Sequence, residues 1–247
     1  MPHFFIDSNA VADNFITISD KDNYNHIAKS LRAKTGEKLL LIDENSIQYE
    51  TVITDITQNS VSAKILNSYK SKRKLEFSLY LAQSPLRNSD AQNFVIEKAT
   101  ELGVSAIYPI YTDNCALNSS VIDKKIEKWQ RVMFESSKQC ERADIPVCKP
   151  LTTLQKLLGG AEFDRIIAFC ERWADLSLRK LCSSNPIKKD EKVLVIIGPE
   201  GGFSDREFEF FASNPKINML TLGDLILRAE TAVTVALGNV IYEYENY

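Results

Sequence analysis

Histidine is nearly absent from this chain of 247 residues, which has only His3 and His26. Neither stands in a cluster of metal-ligating side chains, which argues against a zinc site, and a Ser-His-Asp hydrolase would lack its base. Cysteine is scarce: the five, Cys115, Cys140, Cys148, Cys170 and Cys182, form an odd set with no C-x-x-C spacing. That is the pattern of a reduced, cytoplasmic protein in which most thiols act as small buried hydrophobes. An excess of one charge is missing too. With 30 Lys and Arg against 33 Asp and Glu, the net charge is −3. A general polyanion binder is therefore disfavoured, and any nucleic acid has to meet a local basic patch. No apolar run approaches the ~20 residues of a membrane-spanning helix, and Asp7, Asp13, Asp20 and Asp22 do not suit a signal peptide. There is neither G-x-G-x-x-G nor a Gly-Lys-Ser/Thr loop, so nucleotide phosphate is not the favoured ligand. These absences leave carboxylates, Arg and Lys, backbone dipoles, or a cofactor that arrives already reactive.

The length allows one large domain or two small ones, and 44% hydrophobic content is ample for a core. Up to about residue 70 the chain reads as strand, at 4–6, 15–18, 38–42, 49–56 and 61–66, set off by Asn, Asp, Gly and Ser turns. One helix is expected over 22–33, with Tyr24, Ile27, Ala28 and Leu31 on one face. His26, Lys29, Arg32 and Lys34 lie towards another side, either as a solvated face or as a small basic patch. These features predict a small β-barrel, an architecture common among RNA-binding modules. The stretch 68–74, SYKSKRK, reads as a linker, either a solvated hinge or a phosphate contact. From Leu75 strands alternate with helices. Strands are expected at 77–81, 106–111, 166–169, 193–197 and 217–221. Helices are expected at 89–102, capped by Ser89 and Gln92 and stopped by Gly103, at 123–139 with Ile126, Trp129, Val132 and Met133 inward, and at 230–244. This alternation predicts an α/β domain around a parallel sheet covered on both faces.

The most informative stretch is 193–203, VLVIIGPEGGF. A β-branched run breaks into Gly198, Pro199, Glu200, Gly201 and Gly202, and Ser204 with Glu207 then has capping-box spacing. A buried parallel strand that ends in glycines and feeds a helix leaves backbone N–H groups uncovered at its carboxyl end, where open α/β sheets bind ligands. Residues 217–237 repeat the plan, with Gly223 as the turn. Two such loops predict one pocket built mainly from backbone; the plainer alternative is two tight turns and nothing more. Arg228 and Glu230 interrupt an apolar segment, either paired at the surface or pointed into a site. Glu200 either caps backbone N–H groups or takes part in chemistry. Arg142, in QCERADIP, is either a solvated helix end or aimed at a substrate phosphate. Glu97, Lys98 and Glu101 read as surface pairs. Trp129 fits a helix core, whereas Trp173, in CERWAD, either stacks on a base or anchors its loop.

Four segments, IEKATELGVSAIYPIYTDNC, KQCERADIP, IIGPEGGFSDRE and LGDLILRAETA, together resemble the RsmE family of small-subunit ribosomal RNA methyltransferases, within the SPOUT superfamily. NHIAKSLRAKTGEKLLLIDEN looks like that family's N-terminal PUA-like barrel, and the resemblance covers nearly the whole chain in the family's order. It implies methylation of N3 of a uridine in 16S rRNA, S-adenosyl-L-methionine as methyl donor, and a homodimer; the scarce histidine and short apolar runs add the expectation of no metal and no membrane. It implies an α/β fold: a C-terminal SPOUT-type, trefoil-knotted parallel sheet over 73–247, and a PUA-like RNA-binding β-barrel over 1–72. For the site it implies a cofactor held mainly through backbone by Ile197, Gly198, Pro199, Glu200, Gly201, Gly202, Leu222, Gly223, Ile226, Leu227 and Thr231. A sulfonium methyl needs only in-line placement, while the uracil N3 proton must leave and the charge on the ring must be stabilised. Arg228 is the expected stabiliser, with Glu200 or Glu230 as proton acceptor or as orienter of the Arg. Lys29, Arg32, Arg87 and Arg142 are the expected RNA contacts.

The chain departs from the family at several positions. His3 replaces an Arg, Thr112-Asp113-Asn114 a Ser-Glu-Arg triplet, Ala229 a Thr and Ala91 a Lys; Lys138-Gln139-Cys140-Glu141-Arg142 alters Glu-Gln-x-x-Arg. Asn114 and Ala91 each lack a positive charge that would favour RNA. Two other readings stand beside this one: a SPOUT-like methyltransferase for another RNA base, and a ribosome-assembly factor that kept the barrel without turnover.

Overall fold

The computed structural model describes residues 1–71, 75–160, 162–170 and 173–245. Spatial proximity groups Met1–Lys74 with Ser137–Asp144, and Leu75–Ser136 with Ile145–Tyr247. In the first unit six strands make one sheet: β1 (His3–Phe5), β2 (Val11–Ala12), β3 (Phe15–Ile18), β4 (Lys38–Ile42), β5 (Ile47–Ile56) and β6 (Val61–Lys70), ordered β1-β4-β5-β6-β3-β2. β1 runs parallel to β4, and the other pairs are antiparallel. Register shifts between Glu50 and Thr51 and between Ile53 and Asp55 bend the long β5–β6 ladder. The sheet's core is Phe4, Ile16, Ile18, Ile27, Leu39, Leu41, Ile53 and Val61, all buried. No pairing joins β1 to β2 among the described residues, so the expected small barrel is an open, barrel-like sheet. Buried Asp43 fixes the β4–β5 turn: its Oδ1 accepts the Asn45 and Ile47 N–H groups at 2.9 Å, and its Oδ2 the Tyr49 hydroxyl at 3.0 Å. Burial, and then this bond, push the Tyr49 hydroxyl up to about 12.

Two expectations for this unit change. The helix expected over 22–33 is a single α-turn, α1 (Lys21–Tyr24), capped by Asp20 and followed by the π-helical Asn25–Ser30. The Leu31 N–H bonds to the His26 carbonyl at 2.8 Å, five residues back. This wider turn rotates Leu31 off the face of Ile27, so Ile27 is buried and Leu31 exposed. Second, β6 runs through Lys70, so Ser68, Tyr69 and Lys70 are ladder residues opposite Tyr49, Gln48 and Ile47 rather than linker. Lys72, Arg73 and Lys74, the rest of that expected linker, lie outside the described residues, and so does the expected 72/73 boundary.

The second unit is built on a sheet of β7 (Ser78–Gln83), β8 (Ala106–Pro109), β9 (Val147–Cys148), β10 (Arg165–Phe169), β11 (Lys192–Ile197) and β12 (Ile217–Leu220). Its order is β12-β10-β11-β7-β8-β9, and every pair is parallel. The helices are α2 (Ser89–Glu101), α3 (Ser119–Asp123), α4 (Ile126–Gln139), α5 (Leu154–Gly160), α6 (Leu178–Ser184), α7 (Asp205–Ser213) and α8 (Ala229–Glu245). Alternating side chains divide between two cores. Leu79, Leu81, Ile167, Val193, Val195 and Ile197 meet Val95 and Ile96 of α2, Trp129 and Met133 of α4, and Val233, Ala236, Leu237 and Val240 of α8. Ala82, Ile166, Ala168, Leu194 and Ile196 meet Leu154 and Leu157 of α5 and Phe211 of α7. The parallel sheet covered on both faces is as expected. Among the described residues no helix is long and apolar enough to cross a membrane.

Two helix expectations are corrected here. The N-cap of α2 is Asn88, whose Oδ1 accepts the Asp90 and Ala91 N–H groups at 2.8 and 3.1 Å. Gln92 is buried instead of completing a capping box with Ser89; its Oε1 takes the Leu86 N–H at 2.7 Å and its Nε2 donates to Gln83 Oε1 at 3.0 Å. The helix expected over 123–139 starts later, at Ile126, because the chain turns at Lys124 and Lys125; the short α3, which no expectation covered, ends just before that turn at Asp123. Gly103, at φ +85°, stops α2 as expected. The short α5, α6 and β9 lie in segments whose periodicity spans too few residues to register.

At the amino end of this sheet, buried Arg165 donates from Nε to Glu191 Oε1 at 2.6 Å and from its Nη atoms to the Asn185 and Pro186 carbonyls at 2.9 and 3.1 Å. Removing one partner of such a pair strands the other charge. Glu191→Ala is expected to cost about 3 kcal/mol or more in urea denaturation. Arg131→Ala, which breaks the exposed α4 pair with Glu127, should cost under about 1 kcal/mol.

Candidate active site

All six strands of the second sheet run parallel, so their carboxyl ends share one edge, where the connecting loops gather. β11 is buried from Val193 to Ile197 and gives way to Gly198, where a Cβ would meet the Phe203 ring at 3.3 Å. The Gly202 N–H closes the turn on the Pro199 carbonyl at 2.9 Å, with Gly202 at φ +69°. The Ser204–Glu207 capping box then starts α7 as the spacing predicts. The loop after β12 is tied by Thr221, whose hydroxyl accepts the Gly223 N–H at 3.1 Å and donates to the Gly223 carbonyl at 3.0 Å. Gly223 sits at φ +126°, open to a side chain in space but closed to one in conformation. The Thr221 N–H bonds to the Leu176 carbonyl at 3.0 Å, which joins this loop to the one after β10. Only β10 separates β11 from β12, so the two glycine loops start roughly 10 Å apart.

A third loop, after β8, holds the first. Ser84 and Thr112 share a hydroxyl bond at 2.7 Å. Asp113 Oδ2 accepts from the Ser204 hydroxyl at 2.5 Å and from Arg206 Nε at 3.2 Å, and its Oδ1 takes Arg206 Nη2. The Asp113 N–H in turn donates to Glu207 Oε1 at 3.1 Å. Asn114 Nδ2 donates to the Gly201 and Gly202 carbonyls at 3.3 and 3.1 Å. From the β7–α2 loop, the Arg87 N–H donates to Glu200 Oε1 at 2.8 Å. The Ser204 hydroxyl, and after it the Arg206 guanidinium, hold the Asp113 carboxyl below its ordinary value. In the sequence Thr112-Asp113-Asn114 registers only as a lost charge; its contacts link residues about 90 apart, and no local pattern announces them.

The expected site residues divide between buried and exposed positions. Ile197, Gly198 and Pro199 are buried at the end of β11, and Glu200, Gly201 and Gly202 are exposed beyond it. Leu222 and Leu227 are half-buried against the core, and Thr231 is exposed on the first turn of α8. Leu225 and Ile226 stand 78% and 67% exposed. The Arg228 side chain is 87% exposed, and its Nη1 lies 3.9 Å from Glu230 Oε1, so the pair is loose and the guanidinium points to solvent. Lys29, Arg32 and Arg142 belong to the first unit and Arg87 to the second. Lys29 lies over the Tyr24 ring at 5.7 Å, and Arg32 is an exposed residue at φ +51°. Arg142 is buried and bonds Asp144 from Nε and Nη2 at 3.3 and 3.0 Å, neither a solvated end nor an open arm. Lys98 pairs with Glu97 and Glu101 as expected. Trp129 is core; Trp173 is 58% exposed with its ring 5.0 Å from Phe208, and its neighbours Glu171 and Arg172 lie outside the described residues.

Backbone donors in two glycine loops, open space at Gly202 and Gly223, and apolar side chains left in water beside them suit a ligand with a flat, hydrogen-bonding ring and little negative charge. No Lys or Arg lies within 198–203, as a phosphate loop would want. An adenosyl group with a sulfonium fits this donor set.

A family model described as an RNA methyltransferase domain matches residues 73–241, and one described as an RNA methyltransferase PUA domain matches 18–66. Ribosomal RNA small subunit methyltransferase E of Mesomycoplasma hyopneumoniae is 30% identical over 244 residues, covering 98% of this chain and 99% of its own. The Bacillus subtilis protein of the same name is 27% identical over 231 residues, covering 91% and 89%. Among solved structures, a ribosomal RNA small subunit methyltransferase E from Neisseria gonorrhoeae, bound to S-adenosyl methionine, has the same fold: TM-score 0.80, 24% identity, 97% of this chain and 96% of that one.

Asp113 contributes stability as a carboxylate, so its contribution is present above the ordinary aspartate value of 3.8 and is lost as pH falls through its lower folded value. Asp113→Asn should therefore melt at a lower temperature than the parent at neutral pH, with the gap closing as pH falls below about 3.8. Thermal scans of both proteins across that range check it; a gap independent of pH would contradict it.

Proposed function

The chain belongs to the RNA methyltransferase family and, within it, to the ribosomal RNA small subunit methyltransferase E group, and from that premise we propose that it methylates N3 of a uridine in 16S rRNA. The observation that carries the reading is the pair of glycine loops at one sheet edge, with exposed apolar side chains and a solvent-facing Arg228 on the second. S-adenosyl-L-methionine supplies an activated methyl group when bound. Residues 197–202, with Leu222, Gly223, Ile226, Leu227 and Thr231, would hold it, mainly through backbone groups.

The remaining chemistry is the acceptor's. Uracil N3 carries a proton at neutral pH, and charge spreads over the ring and its carbonyls as that proton leaves. Arg228 stabilises that charge. Its loose pairing with Glu230 leaves the guanidinium free to turn to a substrate, and Glu230 orients it or takes the proton. Glu200, occupied by the Arg87 N–H, serves better as a tie between loops than as a base. Lys29, Arg32 and Arg87, all exposed, are assigned to RNA, while Arg142, buried against Asp144, holds its own loop. The working form is a homodimer in the cytoplasm, where the small subunit is found. Val233, Ala236 and Val240 of α8 are used in the protein's own core and Ile241 packs against it, so a partner would meet Val235 and the exposed Tyr242. Light scattering at micromolar concentration should give twice the chain mass.

The test is transfer of labelled methyl from S-adenosyl-L-methionine to deproteinised small-subunit RNA and to assembled subunits, with the modified base mapped by reverse transcription. A methyl on N3 blocks base pairing and stops the polymerase one residue short. Label on another base would overturn the N3 assignment, and binding without transfer would leave an assembly factor. Arg228→Ala should slow single-turnover transfer on the order of a hundredfold while cofactor affinity stays near that of the parent, since charge on the uracil develops only towards the transition state. Loss of affinity and melting temperature together would make Arg228 a structural residue instead.

A further inference from the structure

We infer that Asn114, backed by Asp113, is a positioning residue for the cofactor: it shapes the glycine loop without touching the ligand. The inference rests on the reading of that loop as the S-adenosyl-L-methionine site. A glycine-rich turn has more backbone freedom than any other sequence, so a loop of Gly201 and Gly202 needs outside restraint to present one shape. Asn114 supplies it with a single amide group that donates to both carbonyls, at 3.3 and 3.1 Å. Peptide geometry then sets the donors. Each peptide here is trans, so a carbonyl turned towards Asn114 sends the N–H of the same peptide to the opposite side. The Gly202 N–H sent away in this manner closes the turn on Pro199 at 2.9 Å. The Phe203 N–H, on the same peptide as the Gly202 carbonyl, is likewise turned away from Asn114. Asn114 thereby decides which way the loop's donors face.

Asp113 fixes Asn114 in turn. Its carboxylate bonds Ser204 and Arg206, and its own N–H bonds Glu207, so the residue before Asn114 is tied at three points to the start of α7. Close packing completes the clamp: a Cβ on Gly201 would come within 3.2 Å of the Asn114 Cβ, nearer than ordinary contact. A long basic side chain at position 114 would offer charge to RNA; the short amide here makes two bonds to the loop backbone.

Three variants test this in the full chain: Asn114→Ala removes both bonds, Asn114→Asp sets a carboxylate against two carbonyl oxygens, and Asp113→Asn keeps the shape without the charge. With S-adenosyl-L-methionine as the titrated ligand, Asn114→Ala should raise Kd and the cofactor KM about fivefold, and Asn114→Asp further. The rate at saturating cofactor should stay within about twofold, because loop shape contributes equally to ground and transition states. Melting temperatures identify any variant that loses its fold, and Asp113→Asn, nearly isosteric, should then show the same KM shift in smaller degree. Parent-like affinity in folded Asn114→Ala and Asn114→Asp overturns the inference alone, as does a fall in rate with KM unchanged. A parent chain that binds no S-adenosyl-L-methionine removes the cofactor reading and this inference with it.

Discussion

A strand buried on both faces, as β11 is from Val193 to Ile197, can meet a ligand only where it ends. Its neighbours on either side, β10 and β7, run parallel to it, so their ends fall on the same edge, and each strand must leave the sheet there through a loop. Much of the second unit can be understood as support for that edge. α2 and α8 cover one face, α7 and α5 the other, and the buried Arg165–Glu191 pair closes the opposite end. The chain after β12, an edge strand, returns across the sheet as α8 to pack on its middle, which sets Arg228 and Glu230 at the head of that helix.

The loops on this edge are bound to one another. Glu200 reaches Arg87, Asn114 reaches Gly201 and Gly202, Thr221 reaches Leu176. Each bond joins a side chain or backbone group of one loop to the backbone of another. Such ties stabilise glycine-rich turns without filling the space beside them, leaving the exposed Leu225 and Ile226 and the free face of Gly202 for a ligand. Asp113 alone binds three partners from α7 and its cap, and its depressed acidity reflects that engagement.

The sequence carries this architecture unevenly. The alternation of strand and helix after Leu75 and the 193–203 loop are legible because burial on two faces and a capping box are local signals, printed within a dozen residues. The α1 region departs from its expected helix because a π-turn has no propensity signature; apolar spacing alone favours an α-helix, and only the packing of Ile27 decides the register. Asn88 rather than Ser89 caps α2 because Gln92 has a better partner in the core than at the helix end. The contacts of Asp113 and Asn114 are invisible in the sequence, since they depend on which loops a parallel sheet gathers at one edge. Arg142 looks like an arm for phosphate and is buried against Asp144 two residues on, a pairing that its sequence neighbourhood allows but does not require.

If the paired glycine loops are where the molecule works, their backbone amides should report the cofactor directly. Hydrogen exchange measured residue by residue, with and without S-adenosyl-L-methionine, is the most direct test. At a concentration about 100 times Kd, amides in 198–204 and 221–228 that must open for exchange should slow roughly a hundredfold, with little change in the first unit. Binding that protects other amides while these two loops exchange as before would contradict the account.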